Sequence, residues 1–387
     1  MTAPRVRVAH VITKLGLGGA QETVLGLCAG LDATRFQVRV LCGPEVDEGG
    51  DMFGDFAQAG VDVEVVAAMG RSVRAVGDGR ALQALCAALR RFRPEIVHTH
   101  TSKAGALGRI AARITRAPVT VHTVHGWSFG HGGGRYARAM IGVERLLARS
   151  TDRLVVVTPI DEAMGLHSRI GNEDQYVLVR SGIDLDRFRF SSGARAAGRE
   201  ALGLGPDAQL VGTVGRLSEQ KDPITLLRAF KRVVAERPSA RLLMVGDGPL
   251  RAQVEQCVTD LALGAVVHLV GADHEPGHWY SSMDLFALSS QWEGLPRVAL
   301  EAAASGLPVV STRCGGLVEL EARSAATLCA VGDEAELAAA VESVLEAPGS
   351  LGARDEVPQW LEEYSVASMV ADTAEMYEQL TRERLPA

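Results

Sequence analysis

Apolar and polar positions alternate between two regimes along the chain. Short, near-continuous Val/Ile/Leu runs give way to longer stretches with helical spacing. The runs VRVAHVI (6–12), FQVRVLC (36–42), VDVEVV (61–66), EIVHTH (95–100), PVTVHTV (118–124) and RLVVVT (153–158) predict strands. Between them, GAQETVLGLCAGL (19–31), GRALQALCAALRRF (79–92) and KAGALGRIAARI (103–114) predict helices. Strands this apolar, separated by helices, imply a parallel sheet covered on both faces.

After SGIDLDRFRF (181–190), the segment SSGARAAGREALGLGPDA has few large apolar residues; it reads as a domain junction with room for a short helix. The alternation restarts with QLVGTVG (209–215), ARLLMVG (240–246), AVVHLVG (265–271), DLFALS (284–289) and LPVVST (307–312). Two successive doubly wound α/β units are expected, over residues 1–186 and 187–364, facing each other across a cleft. A last helical stretch, 365–387, is expected to pack back towards the first unit. The length of 387 residues agrees with two domains. Ligands of open parallel sheets bind beyond the carboxyl ends of the strands, so the loops after each strand are the places to look for chemistry.

Composition narrows the class. Hydrophobic residues at 47% and charged residues at 22% are ordinary for a globular protein. The start has no apolar h-region and no stretch of about 18 apolar residues occurs, so neither a secretory signal nor a transmembrane helix is expected, and a cytoplasmic setting is. Cys28, Cys42, Cys86, Cys257, Cys314 and Cys329 lie far apart without a C-x-x-C pair, which fits reduced thiols better than disulfides or zinc. Residues 1–190 hold 24 Lys+Arg against 19 Asp+Glu, leaving 16 (40 − 24) against 28 (47 − 19) in the remainder. The first part is thus mildly basic, compatible with weak peripheral contact at the inner face of a membrane; nucleic acid is not indicated.

The densest chemistry lies at 284–310, which reads as strand, loop, helix and strand. Pro296 suits the first turn of that helix and Gly306-Leu307-Pro308 its stop, which puts Glu293 in the entry loop and Glu301 in the second turn. The amides of Gly294 and Leu295, orphaned at the helix start, suit an anionic or hydroxyl-bearing ligand. Two carboxylates there suit vicinal sugar hydroxyls, although Glu301 alone reads as a solvated helix residue. The loop GRLSEQKD after 209–215 adds Arg216 and Lys221, a guanidinium and an ammonium suited to a pyrophosphate. Gly246-Asp247-Gly248-Pro249 forms a tight strand-to-helix turn, with Pro249 opening the helix.

The set GRLSEQKD, VGDGP, HLVG, DLFALSSQWEGLPRVALEAAASGLPVVST and GGLVE, with GLGGAQE, VHTHTSKAGALGRIAAR and HTVHG before it, resembles retaining glycosyltransferases of family 4, of GT-B fold. The resemblance spans nearly the whole chain. It implies transfer of a sugar from a nucleotide diphosphate sugar, most simply a UDP-sugar, by a front-face process without an obligatory protein base. Arg216 and Lys221 would bind the pyrophosphate and stabilise charge on the departing nucleotide, and Glu301 the ribose hydroxyls. Glu293 and the amides of Gly294 and Leu295 would meet the sugar, Gly246 would line the donor, and Gly18 and Gly19 would line the cleft from the other domain. His125 would approach the reacting sugar. The capsular and exopolysaccharide subgroup, with a lipid-linked saccharide acceptor, is the nearest in pattern; no cofactor or metal is required. Many members read E-G-F-G where this chain has Glu293-Gly294-Leu295-Pro296, which removes a backbone donor near the sugar.

Several tempting features carry less. Asp184-Leu185-Asp186 spells D-x-D but fits a turn better than a metal site. His98, His100, His122 and His125 invite zinc, yet no carboxylate or cysteine joins them at ligand spacing. Gly16-Leu17-Gly18-Gly19 is a weak dinucleotide fingerprint. The glycine run 130–134 suggests a mobile segment or a plain loop, and Trp127 and Phe129 either touch an acceptor or pack that loop down. A soluble natural-product acceptor, a UDP-sugar epimerase of the same fold and a non-catalytic binder are the alternatives. A phosphorylase would need a pyridoxal-phosphate lysine and a longer chain.

Overall fold

The computed structural model describes residues 5–46, 50–130, 134–205, 208–346, 354 and 356–385; His131, Gly132 and Gly133 of the glycine run lie outside them. Two compact units form, one from Met1–Gly182 with Glu363–Ala387, the other from Ile183–Glu362.

The first unit holds a seven-stranded sheet made of β1 (Val6–Ile12), β2 (Phe36–Cys42), β3 (Asp62–Val65), β4 (Ile96–His100), β5 (Val119–Val124), β6 (Arg153–Val156) and β7 (Tyr176–Leu178). Their order is β3-β2-β1-β4-β5-β6-β7, and every pairing is parallel. Both faces are buried, as the near-continuous apolar runs require: Val8, Ile96 and Val121 pack on one side, Ala9, Val11 and Val97 on the other. The helix Val366–Arg384 closes the first of these faces through Met369, Met376, Tyr377 and Leu380, joining the end of the chain to its beginning.

The second unit holds six parallel strands: β8 (Gln209–Val214), β9 (Ala240–Val245), β10 (Val267–Gly271), β11 (Leu285–Leu288), β12 (Val309–Thr312) and β13 (Ala326–Cys329), in the order β10-β9-β8-β11-β12-β13. Both sheets therefore follow the Rossmann order, in which the chain starts in the middle, builds outward to one edge, then returns and builds the other way. The segment after Phe190 forms the helix Ser192–Ala201, capped by the Ser191 hydroxyl. Its Arg195 and Arg199 both reach the buried carboxylate of Asp284, whose Oδ2 also accepts from the Leu210 amide at 2.7 Å. That carboxylate ties the start of β8 to the start of β11.

Two local expectations need adjusting, and one open alternative is decided. Pro296 is the cap of the helix Arg297–Ala304 and keeps an extended backbone (φ −74°, ψ 102°), so the helix starts one residue later than its first-turn placement. The helix after Pro249 begins at Arg251, the intervening residues being a turn. Trp127 and Phe129 are buried and stacked at 5.2 Å, and the Trp127 indole donates to the Asp161 carbonyl at 2.7 Å, so they pack this segment down.

Candidate active site

The order of the second sheet reverses between β8 and β11, and the loops leaving their carboxyl ends separate at that point. These are the loops that carry Arg216 with Lys221, and Glu293. They are stitched together: the Gln291 amide donates to the Gln220 carbonyl at 2.8 Å, and the Ser289 hydroxyl lies 3.0 and 2.7 Å from the carbonyls of Lys221 and Asp222. Asp222 caps the helix Pro223–Glu236, its carboxylate accepting from the Thr225 amide, which fixes the backbone immediately after Lys221.

The consequence is an ion pair. Lys221 Nζ donates to Glu293 Oε1 at 2.5 Å, the Ser290 hydroxyl donates to the same oxygen at 2.7 Å, and Gln220 Nε2 reaches Oε2 at 3.3 Å. The carboxylate is buried and the ammonium partly exposed, so the cation keeps an open side while its counter-charge is fixed. Arg216, exposed, lies with its stem over Gly248.

Two glycines make this approach possible. Gly246 has φ 143°, and a Cβ on it would stand 1.9 Å from the Gly215 carbonyl oxygen, where β8 and β9 end side by side. Gly315 has φ 52°, and its Cβ would stand 2.1 Å from the Glu293 carbonyl oxygen. The neighbouring Gly316 amide donates to the Gly294 carbonyl at 2.6 Å, so the turn at 315–316 braces the loop that carries Glu293. Leu295 is half-buried beside it.

Glu301 is buried, not solvated: it is 4% exposed and accepts from the Tyr280 hydroxyl at 2.7 Å through Oε2. Tyr280 is itself held edge-on to Phe188. A buried carboxylate oriented by a phenol is suited to accept from ligand hydroxyls. Sequence reasoning missed Tyr280, Ser290 and Gln220; Ser290 and Gln220 stand within the motifs already singled out, whereas nothing in HWYSS marks Tyr280.

In the first unit, Gly18 and Gly19 open the helix Gly19–Gly30 just beyond β1, with the Gly18 carbonyl accepting from the amides of Gln21 and Glu22. His125 follows β5, and its Nε2 lies 3.2 Å from Nδ1 of His100. Three histidines of the sheet are buried around it: His10 at 0%, His98 and His100 at 1%. Ring nitrogens of these three lie within 4.8 Å of one another. Burial lowers the pKa of His10 to about 3 and, with the neighbouring imidazoles, pushes His98 and His100 well below the usual value. Asp184 and Asp186 of the D-x-D segment are engaged by the Arg187 amide and the Arg189 side chain, as a turn requires. All six cysteines are free thiols, and burial raises those of Cys314 and Cys329 to about 11.

The profile of the family described as "Glycosyl transferases group 1" matches residues 208–347, and that of the "Glycosyl transferase 4-like domain" matches residues 18–182. Between them they span every strand of the two sheets except β1. The chain is a glycosyltransferase of this family, of GT-B type, acting on a nucleotide sugar. It is 29% identical over 319 residues to the UDP-Gal:alpha-D-GlcNAc-diphosphoundecaprenol alpha-1,3-galactosyltransferase of Escherichia coli, covering 81% of each chain. It is 31% identical to a D-inositol 3-phosphate glycosyltransferase of Catenulispora acidiphila, over 66% of this chain and 64% of that one. In fold it matches HepE of Anabaena in complex with UDP-glucose (TM-score 0.81, 20% identity, 97% of this chain and 100% of that one). WaaG, a glycosyltransferase involved in lipopolysaccharide biosynthesis, matches at TM-score 0.76 with 18% identity, over 95% and 99% of the two chains.

Proposed function

We propose that this enzyme transfers a sugar from a UDP-sugar, with retention of anomeric configuration, to a lipid-linked saccharide in polysaccharide or glycoconjugate assembly. The observation that carries the reading is the Lys221–Glu293 pair at the switch point of the second sheet, with Glu301 buried in the helix that follows. Lys221 and Arg216 bind the pyrophosphate and offset the charge that grows on it as the sugar departs. Glu293 holds a sugar hydroxyl, helped by the Gly294 and Leu295 amides, Glu301 holds the ribose, and Gly246 lets the nucleotide approach the backbone. Gly18, Gly19 and His125 serve the reacting sugar and acceptor. Retention follows the family resemblance, in which acceptor and leaving nucleotide share one face of the sugar. The UDP donor and lipid-linked acceptor are supported by the name of the Escherichia coli relative and by UDP-glucose in HepE. No metal or other cofactor is required in this reading.

Peripheral membrane contact fits the same reading. The helices Ser102–Thr115 and Gly134–Ala148 of the first unit expose Ile114, Val143 and Leu146 among Arg113, Arg116 and Arg138. Apolar groups set among cations suit an anionic lipid surface. Among the described residues, no helix is long and apolar enough to cross a membrane.

Calorimetric titration with UDP, GDP, ADP and their common sugars tests the donor. Binding of UDP and one UDP-sugar is expected; preference for another base replaces the donor, and binding of none refutes the reading. The anomeric proton of the product reports retention, and an isomerised free UDP-sugar would reveal an epimerase. Flotation with vesicles should show binding to phosphatidylglycerol that Arg113→Glu with Arg138→Glu removes; no flotation of the wild type refutes the membrane contact.

A further inference from the structure

His10, His98, His100 and His125 form a connected chain of which the transfer reaction has used only His125. In β4 the two-residue period puts His98 and His100 on one face, and the parallel register sets His10 of β1 directly beside His98. The helix Val366–Arg384 covers that face and inserts Tyr377, which is fully buried, between them. The Tyr377 hydroxyl lies 2.5 Å from His98 Nδ1 and 3.5 Å from His10 Nε2. His10 Nδ1 lies 3.0 Å from His100 Nε2, and His100 Nδ1 lies 3.2 Å from His125 Nε2. The branch ends where His98 Nε2 meets the Thr123 hydroxyl at 2.6 Å.

A neutral imidazole has one N–H and one lone pair, so each ring in such a chain must donate on one side and accept on the other. The buried rings are held neutral by desolvation. One proton placement therefore sets all the others. The shorter of the two Tyr377 contacts is the one to His98, and O–H donors make shorter bonds than N–H donors. Tyr377 thus donates to His98, leaving His10 to donate through Nε2 to the phenol oxygen. His100 then donates through Nε2 to His10, and His125 through Nε2 to His100.

We propose that Tyr377, His10 and His100 are positioning residues that act through His125, holding it as the Nε2–H tautomer for its part in the transfer. The second half of this rests on the reading that His125 serves the reacting sugar. A metal centre at the same three histidines fits less well. Every ring nitrogen of His10, His98 and His100 already has a partner, and a dication would have to displace those bonds.

Long-range 15N–1H correlation on the whole protein labelled in histidine reads the tautomers without any substitution. His10, His98, His100 and His125 should all be neutral Nε2–H forms; an Nδ1–H form or averaged shifts at His125 would overturn the relay. Tyr377→Phe, which keeps the ring and removes the hydroxyl, should average the His125 signal. It should also lower kcat on the order of 10-fold, the scale on which groups fixing a ring tautomer act, with donor KM unchanged. A lower melting point with tautomer and kcat both unchanged would make Tyr377 merely structural. His125→Ala separates the two claims: full activity refutes the role of His125, whereas the tautomer pattern alone decides the relay. In that background Tyr377→Phe should have no further effect on kcat. Stoichiometric Zn2+ binding lost in His10→Ala would replace the relay with a metal site.

Discussion

Lowering the pH from about 7.5 to about 5.5 should loosen the first unit far more than the second, through the buried imidazoles of its sheet. His10, His98, His100 and His122 are all held below the ordinary pKa, burial being the largest cause in each. Folded, they remain neutral across this range; unfolded, each titrates near the ordinary value of about 6.5. A depressed base adds stability above its unfolded pKa and loses it as pH falls below, because the unfolded chain takes up protons that the folded one refuses. At about pH 5.5 each unfolded imidazole gains roughly 1.4 kcal/mol from protonation, so four cost about 5.5 kcal/mol, comparable with the whole stability of a small domain. Among the carboxylates of the first unit, Asp372 acts in the opposite sense, because burial raises its pKa. For Glu95, burial raises the pKa but hydrogen bonds from Arg7 more than reverse it, so its contribution fades only in more acid solution. In the second unit His268 alone, among described residues, shows a depressed histidine, again mainly from burial. Hydrogen exchange by mass spectrometry, corrected for intrinsic rates, resolves opening free energies unit by unit. His122→Asn should remove about a quarter of the pH effect. A first unit whose opening energy moves by less than about 1 kcal/mol over this range would refute the linkage.

Lys221→Met should lower transfer on the order of 100- to 1,000-fold in steady-state assays and also lower the melting temperature, since only Ser290 and Gln220 remain to offset the buried Glu293 carboxylate. Glu301→Ala should raise the donor KM and also cost about 1–3 kcal/mol in urea unfolding, because it leaves the buried Tyr280 hydroxyl without its carboxylate; Glu301→Gln should keep that stability. Gly315→Ala should weaken UDP binding by calorimetry while exchange in β8 and β9 stays slow, as its Cβ would displace the Glu293 carbonyl. Glu144→Ala should cost about 3–5 kcal/mol by stranding the fully buried Arg109, and Arg109→Met with Glu144→Leu should recover most of it in the same unfolding assay.

The doubly wound architecture was legible because strands buried on both faces need near-continuous apolar runs, and eleven of the thirteen strands fall on runs the sequence singles out. The other two lack the signal for physical reasons. β7 is three residues at a sheet edge, and β13 is four residues, Ala326–Cys329, with only two buried side chains. The place of Asp284 was also hidden, because two arginines in a segment poor in apolar residues look like a solvated junction until their shared partner is known.

The donor loops were legible because their chemistry is local. Lys221, Glu293 and Glu301 stand in short motifs, and the strand order then brings those loops together. The histidine relay has the opposite character. His98 and His100 are visible as a pair, but His10 joins them only through the register of β1 against β4, and Tyr377 only through the packing of the last helix. Neither fact is written in local spacing: a one-residue slip would turn His10 to the opposite face and leave every run equally apolar. Strand register and helix docking thus turn separate histidines into one hydrogen-bonded unit, which ties His125 to the far end of the chain.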